Sequence, residues 1–446
     1  MKVVEKTIKQ VVAMLGFPEI EFVIEHPREE THGDYATNVA LVLAKKIGND
    51  PREVAEIVAS RCYSDAKLMD VVEKIEVAGP GFINFYLKNS YLWSEVVRVD
   101  DEYGRNAVLA GKKVMIEYTD PNPFKEMHIG HLMSNTIGEA LARLKESEGA
   151  EVKRANYQGD VGLHVAKSVW GMQQKMKDEN LNIATLRDCN IEKRQAFMGQ
   201  AYAYGAKSYE ESEDNKNQIN RLNIVIYEGT DPVVMELYKA GKAWSLEYFE
   251  TIYARLGTKF DEYFFESETG KIGLKVVEEG IEKEVLEIGE GGAIVFKGEK
   301  EGLHTRVFRN SFGLPTYEAK DLGLAVVKYE RYKYDQSIVV TANEITEYFR
   351  VVLSVMGKLY PELRKKTVHK PHGVMKLPTG KMSSRTGNVV VAEKLLDELK
   401  EVVLSKMGDR QLEDKEGIAD KIAVGALKYA VLKQAVGRDI VYDPAT

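Results

Sequence analysis

The sequence predicts an α/β protein: a parallel-sheet domain carrying a helical insertion, preceded by a small α+β domain and followed by a partial helical segment. Three observations predict it. At about 150 residues per domain, a chain of 446 residues holds about three domains. Residues 113–118 are apolar enough for a central strand, and a proline-punctuated loop, a helix from about His131 to Glu148 and a strand at 152–156 follow, giving a right-handed βαβ unit whose ligand edge lies at the strand C-termini. Residues 337–341 and a helix over 345–359 then resume the parallel sheet, after a stretch of about 170–300 that is helical, acidic and finally hairpin-like around 289–296. That stretch reads as an insertion.

The N-terminal part has its own pattern. An opening helix and an extended run at 20–24 lead to Gly33-Asp34-Tyr35-Ala36-Thr37-Asn38 and then to two helices. The second opens with Asp50 as N-cap, Pro51 at the first helical position and Glu53 three residues after the cap. Residues 71–87 alternate and break at Gly79-Pro80-Gly81, which reads as a hairpin. The expected divisions are 1–100 for this module, 111–370 for the parallel-sheet domain and 371–446 for the remainder, with a linker near 100–112.

Composition excludes several classes. With 44% hydrophobic and 29% charged residues and a mean hydropathy of −0.31, the chain reads as soluble and globular. No apolar run approaches the roughly 20 residues of a membrane span, and the first fifteen residues lack the apolar block of a secretory signal, so a cytoplasmic location is expected. Cys62 and Cys189 cannot make a disulfide framework or a four-ligand thiolate zinc site, and both read as small core residues. Lys and Arg number 62 against 69 Asp and Glu, a net charge of −7, so a polyanion must be met by local patches. One such run holds Arg364, Lys365, Lys366, Lys370, Lys376, Lys381 and Arg385 with no acidic residue between them.

The strongest local signal is His128-Ile129-Gly130-His131, between a predicted strand and the helix it feeds. Two imidazoles three residues apart share one side of a first helical turn, where backbone N–H groups and the helix dipole favour phosphate. Gly130 leaves room for a flat base against the backbone. An ordinary surface histidine pair is the bland alternative, and the placement of two of the chain's eight histidines at a strand-to-helix turn weighs against it. The second signal is Lys381-Met382-Ser383-Ser384-Arg385, followed by Thr386-Gly387-Asn388 and preceded by Pro378-Thr379-Gly380. Cations and hydroxyls on a glycine-flanked loop suit a triphosphate whose charge shifts during displacement at the α-phosphorus. Neither Gly-x-x-x-x-Gly-Lys-Ser/Thr nor Gly-x-Gly-x-x-Gly follows a strand, which counts against other nucleotide folds. Tyr317 and Asp321 lie four apart, on one face if a helix starts there. A guanidinium presents planar donors that match a carboxylate and can lie against an aromatic face. Asn343 and Glu344 end the second-half strand without an assigned role.

These residues resemble the class I aminoacyl-tRNA synthetases, and within them the arginyl-tRNA synthetases, over nearly the whole chain. The segment Glu117-Tyr118-Thr119-Asp120-Pro121-Asn122-Pro123-Phe124-Lys125-Glu126-Met127-His128-Ile129-Gly130-His131 is similar to the family's extended signature, and Gly159-Asp160-Val161-Gly162 to its Gly-Asp-x-Gly turn. The N-terminal module, with Gly79-Pro80-Gly81-Phe82, is similar to the family's additional domain, which grips the tRNA corner. The resemblance implies a Rossmann-type catalytic domain, ATP as substrate with Mg²⁺, L-arginine and tRNA(Arg) as partners, no membrane and a monomer. It implies catalytic roles for Lys125, His128, His131 and Lys381, and ATP binding by His128, Gly130, His131, Lys381, Met382, Ser383, Ser384 and Arg385. Arginine binding is implied for Glu117, Asn122, His131, Tyr317 and Asp321, with no metal ligand among the side chains. Where the common loop has a second lysine this chain has Ser384, and the resemblance implies that Lys125 supplies that charge. It also implies that 371–446 holds the loop, stem-contact helices and only the start of a helical anticodon-binding domain, most of which is expected to be absent.

The preferred reading is therefore an arginine–tRNA ligase. A lysine-specific class I enzyme, a metabolic nucleotidyltransferase with the same His-x-Gly-His turn, and a non-catalytic synthetase-like tRNA-binding protein remain the alternatives. Amino-acid-dependent pyrophosphate exchange separates them.

Overall fold

Val4, Ile8, Val11 and Val12 recur at helical spacing and bury one face of α1 (Lys2–Met14). The computed structural model describes residues 2–27, 29–376, 390–435 and 437–441, in two units, 1–105 and 106–446. In the first unit α1 is followed by β1 (Ile24–Glu25), β2 (Tyr35–Thr37), α2 (Val39–Ile47), α3 (Pro51–Cys62), α4 (Ala66–Met69), β3 (Val72–Ala78), β4 (Phe82–Leu87) and α5 (Asn89–Val97). The strands form an antiparallel sheet in the order β1-β2-β4-β3, over a core that includes Ile8, Leu43, Val58 and Phe85. Asp50 caps α3 as its residue type predicts, accepting the Arg52 and Glu53 N–H groups at 2.9 and 3.1 Å. The β3–β4 turn depends on Gly81, whose φ is +133° and where a Cβ would lie 2.8 Å from the Pro51 carbonyl oxygen.

The second unit runs β5 (Lys113–Glu117), α6 (Ile129–Ser147), β6 (Glu151–Gln158), α7 (Leu163–Asp178), α8 (Ile183–Arg187), α9 (Ile191–Glu211), α10 (Glu213–Glu228), α11 (Pro232–Leu256), β7 (Glu262–Phe265) and α12 (Glu266–Glu282). A small antiparallel sheet follows, of β8 (Glu287–Ile288), β9 (Ile294–Phe296) and β10 (Arg306–Arg309). The chain continues through α13 (Tyr317–Arg331), β11 (Gln336–Ala342), α14 (Thr346–Leu359), α15 (Pro361–Lys366), β12 (Thr367–His372), β13 (Met375–Lys376), α16 (Ala392–Met407), α17 (Lys415–Leu432) and β14 (Ile440–Val441).

The main sheet is parallel throughout, in the order β12-β11-β5-β6-β7. Val114, Met115 and Ile116 are buried, as a central parallel strand covered on both faces requires. From β5 the chain builds outward through β6 and β7, then returns to the other side of β5 to lay down β11 and β12. The topological switch point thus lies between β5 and β11, and a ligand crevice is expected at their carboxyl ends.

Two expectations are corrected. The presumed insertion of about 170–300 contains β7, which pairs in parallel with β6 from Ala155↔Glu262 to Gln158↔Phe265. A four-residue edge strand with one fully buried residue, Phe264, is too short to announce itself between two long helices. Helix α6 also starts at Ile129 rather than at His131, because His128 serves as its N-cap.

Helices α7 and α9 cross at glycines. A Cβ on Gly171 would lie 1.9 Å from the Ala201 carbonyl oxygen, and one on Gly205 2.0 Å from that of Lys167. Gly171→Ala should therefore destabilise the second unit by about 1–3 kcal/mol through overpacking. Gly425→Ala, in α17 with nothing within 4 Å of the new methyl group, should gain up to about 1 kcal/mol. Denaturant midpoints of the two variants check this; an unchanged midpoint for Gly171→Ala would mean that α7 and α9 separate freely.

Candidate active site

A cavity of about 380 Å³ opens at the carboxyl ends of β5 and β11, where the topology calls for one. Its polar lining includes Asp120, His128, His131, Thr341, Glu344 and His372. The turn after β5 is tied to α6 on its far side: Ser134 Oγ accepts the Thr119 N–H at 3.0 Å, and Asn135 Nδ2 donates to Thr119 Oγ1 at 3.1 Å. Gly138 lets α6 approach, since a Cβ there would fall 2.2 Å from Tyr118 Cγ.

The two histidines cap their own helix. The His128 N–H donates to His131 Nδ1 at 3.0 Å, and the Gly130 N–H donates to His128 Nδ1 at 3.1 Å. The rings stack with centroids 3.8 Å apart. Because each Nδ1 accepts, each neutral ring carries its proton on Nε2. Burial and the Lys125 ammonium push the His128 imidazole down to about 4. Burial, His128 and Lys125 hold His131 well below the usual histidine range. At neutral pH the pair therefore consists of two uncharged Nε2–H donors. Gly130 lines the same cavity, and a Cβ there would crowd the His128 ring at 3.0 Å. The helix start expected to offer free N–H groups has thus given some of them to the histidines.

The His128 backbone is also bridged to Val391, with Ile129 N–H to Val390 O at 3.1 Å and Ala392 N–H to Met127 O at 2.9 Å. This stitches the histidine turn to residues just beyond 389. Met375 and Lys376, on the other side of the Lys381 segment, pair with Ile440 and Val441, and Asp439 accepts from the Val374 N–H and from Lys376 Nζ.

A second group of charges sits at the end of β5. Glu117 is buried, and its Oε2 lies 2.6 Å from the Nζ of buried Lys328. This carboxylate was expected to face a guanidinium, and the structure gives it a cation of its own. Asp321 accepts from Tyr348 Oη at 2.5 Å, and its enclosure pushes its carboxyl up to about 8. Asp120 Oδ1 accepts the Tyr157 N–H at 2.8 Å. Burial, with Glu117 beside it, holds Asp120 well above the usual carboxylate range.

His128, Gly130 and His131 line the cavity, whereas Glu117, Asn122, Lys125, Tyr317 and Asp321 lie outside its lining. Asn122 Oδ1 packs where a Cβ on Gly159 would sit, 2.3 Å away. Lys125 Nζ lies 5.2 Å from the Tyr202 ring centroid. Tyr317 and Asp321 share a face of α13 as their spacing implied, with Tyr317 largely exposed. Lys381, Met382, Ser383, Ser384 and Arg385 fall outside the described residues. In the basic run, Lys365 pairs with Glu362 and Lys376 with Asp439, so its charge is partly spent within the fold. Sequence reasoning gave no role to Asp120 or His372. Asp120 stood inside the quoted signature, and only its backbone turn reveals its place. His372 donates from Nδ1 to the Gly373 carbonyl at 2.6 Å, and among the described residues its buried Nε2 has no hydrogen-bond partner.

A parallel sheet with its crevice at the switch point, entered by a helix that opens on His-x-Gly-His, is common to the class I aminoacyl-tRNA synthetases and the nucleotidyltransferases that share this turn, and the family match decides for the synthetases. Residues 94–443 match the family model for the catalytic domain of class I (R) tRNA synthetases, and residues 2–87 match the arginyl-tRNA synthetase N-terminal domain. The chain belongs to the arginyl-tRNA synthetase family. It is 30% identical over 434 residues to the arginine–tRNA ligase of Borreliella burgdorferi, covering 94% of this chain and 71% of that protein. With the enzyme of Clostridium perfringens it shares 30% identity over 455 residues, covering 99% and 76%. The Thermus thermophilus arginyl-tRNA synthetase structure has the same fold, with a TM-score of 0.75 at 21% identity, over 99% of this chain and 76% of that one.

The raised Asp321 pKa has a consequence for stability. An unfolded aspartate ionises near pH 4, whereas the folded one keeps its proton up to about 8. Across that window the native state holds a proton that the unfolded chain has lost, so this group's contribution falls as pH rises and levels off above about 8. Asp321→Asn should therefore gain stability relative to the parent between pH 5 and pH 8. The gain should be about 1–3 kcal/mol, less than the full shift implies because a buried charge is relieved by relaxation and water. Denaturant titrations at the two pH values check the sign; a pH-independent difference would mean that Asp321 is ionised in the folded protein.

Proposed function

We propose that this chain activates L-arginine with ATP, forming arginyl-adenylate and pyrophosphate, and passes the arginyl group to the terminal ribose of tRNA(Arg). The observation that carries this reading is the capped histidine pair, which aims neutral donors from a rigid helix start at the cavity of the switch point. In-line attack by the arginine carboxylate on the α-phosphorus needs no protein nucleophile. The oxygens of the five-coordinate phosphorus gain charge, and two preorganised Nε2–H groups favour that state over the ground state. Being uncharged, the histidines also avoid the like-charge penalty that two imidazolium ions would set against Lys125. In the second step a ribose hydroxyl attacks the carbonyl of the adenylate and AMP leaves.

In this reading Gly130 lies against the adenosine half of ATP, and Lys381, Met382, Ser383, Ser384 and Arg385 clamp the phosphates. Lys125 supplies the charge that Ser384 does not. Asn122, Tyr317 and Asp321, with His131, hold arginine, and Glu117 acts from behind them. Among the described residues no group of three or more His, Cys, Asp or Glu is arranged to hold a metal ion. Mg²⁺ commonly takes one or two carboxylates together with phosphate oxygens, and we assign it to the triphosphate. Residues 1–100 grip the tRNA corner, 111–370 form the Rossmann-type catalytic domain, and 371–446 hold the phosphate-clamping loop and the helices that reach the acceptor stem. No described helix is long and apolar enough to cross a membrane, and the reading is of a cytoplasmic monomer.

His128→Ala or His131→Ala should lower arginine-dependent pyrophosphate exchange by about 10²-fold, the scale of losing one preorganised donor, with little change in arginine affinity. The assay is run with tRNA and across amino acids including lysine. Exchange driven by lysine, or full exchange in both variants, would overturn the reading.

A further inference from the structure

The segment that follows α17 returns to the wall of the cavity. Asp439 Oδ1 accepts the Val374 N–H at 2.9 Å, and the Ile440 N–H donates to the Val374 carbonyl at 2.9 Å. Gly373 permits this approach, since a Cβ there would lie 2.0 Å from the Arg438 carbonyl oxygen. Lys376 Nζ donates to Asp439 Oδ2. Lys376, the Val374 N–H and the Asn343 amide together hold the Asp439 carboxyl below the usual carboxylate range. Asn343, which its place at the end of β11 left without a role, thus lies beside this carboxylate. Its neighbours Ala342 and Glu344 line the cavity, as do His372, Val374 and Met375. One side chain therefore reaches two segments of the wall, the end of β11 and the run from β12 into β13.

The ladder that Asp439 reinforces is weak on its own. β13 and β14 pair through Met375↔Ile440 and Lys376↔Val441, and a two-stranded ladder of this length is not stable in isolation. The Lys376–Asp439 ion pair is open to water, with the side chains 41% and 35% exposed, and such pairs add little stability. The bond to the Val374 N–H differs, because a carboxylate on a backbone N–H is charge-assisted and directional. We infer that Asp439 is a positioning residue for the adenosine half of ATP: it fixes the Val374–Met375 side of the cavity that Gly130 also lines. The inference rests on the reading that seats adenosine in this cavity. A flat base is held mainly by dispersion, and a gap of about 0.5–1 Å forfeits about a quarter to a half of each such contact. A wall that keeps its distance therefore binds the base better than one that drifts. Asp439 touches no substrate and acts through Val374. Tyr317 and Asp321 lie outside the cavity lining, so its effect is confined to the nucleotide.

Pyrophosphate exchange on the full chain, run with tRNA, tests this by giving separate KM values for ATP, arginine and pyrophosphate. A second probe is arginyl-sulfamoyl-adenosine, which carries adenosine and arginine without the pyrophosphate. Asp439→Ala should raise the KM for ATP by about 10-fold, the effect of a small displacement of a binding wall, and should weaken the sulfamoyl probe by the same factor. The KM values for arginine and pyrophosphate should stay within about twofold, as they do when a lost interaction belongs to another substrate. Asp439→Asn still accepts the Val374 N–H, and Lys376→Met leaves that bond intact. Both lose only an exposed ion pair and should keep the KM for ATP within about threefold of the parent. An unchanged KM for ATP in Asp439→Ala would overturn the inference. So would a variant that fails to fold or raises all three KM values alike, because the tie would then be merely structural. Damage by Asp439→Asn equal to that by Asp439→Ala would place the effect on the charge and not on the Val374 bond. A higher KM for ATP without loss of the sulfamoyl probe would place it on the phosphates, and either result overturns the role stated for Asp439. A parent that does not bind the sulfamoyl probe would overturn the seat of adenosine itself, and the inference with it.

Discussion

The reciprocal cap at the start of α6 is the contact on which the rest of the site depends. One pair of hydrogen bonds, His128 N–H to His131 Nδ1 and Gly130 N–H to His128 Nδ1, does three things at once. It begins the helix that packs on β5, it fixes both tautomers with Nε2–H free to donate, and it stacks the rings so that neither can rotate away. A capping box is ordinarily made by a hydroxyl and a carboxylate. Imidazoles at these positions satisfy the backbone donors and leave their Nε2–H groups at the cavity. Because the His128 backbone is bridged to Val391, any shift of the residues beyond 389 is felt by the same turn.

Around this helix start the protein accepts costs that a merely stable fold would avoid. Thr119 and Asp120 occupy left-handed backbone, His372 keeps a buried nitrogen that has no hydrogen-bond partner among the described residues, and the Asp321 carboxyl is pushed up to about 8. Each is a local loss of the order of a kcal/mol or more. Thr119 and Asp120 follow β5, His372 ends β12, and Asp321 lies on α13. Away from the site the chain follows ordinary rules. Asp50 caps α3, and glycines occupy the α7–α9 crossing, where a methyl group would strike a carbonyl.

By itself the sequence determined the alternation of strand and helix, the capped helices and hairpin of the first unit, and the histidine turn at a strand-to-helix junction. These depend on local spacing, and local spacing survives folding. It also placed Tyr317 and Asp321 on one helical face, because the α-helix repeat is fixed. Tertiary structure alone decided the rest. The strand at Glu262–Phe265 is too short to be periodic and exists because β6 offers it an edge. The pairing of Glu117 with Lys328 joins residues 211 apart, and this took from Glu117 the free carboxylate its place in the signature suggested. Asp120 stood in plain view in that signature, but a left-handed φ and the neighbouring Glu117 and Asp321 carboxylates are properties of the folded backbone and of the charges gathered around it. They arise only when the end of β5 and α13 are brought together in the fold, which no local pattern of residues can show.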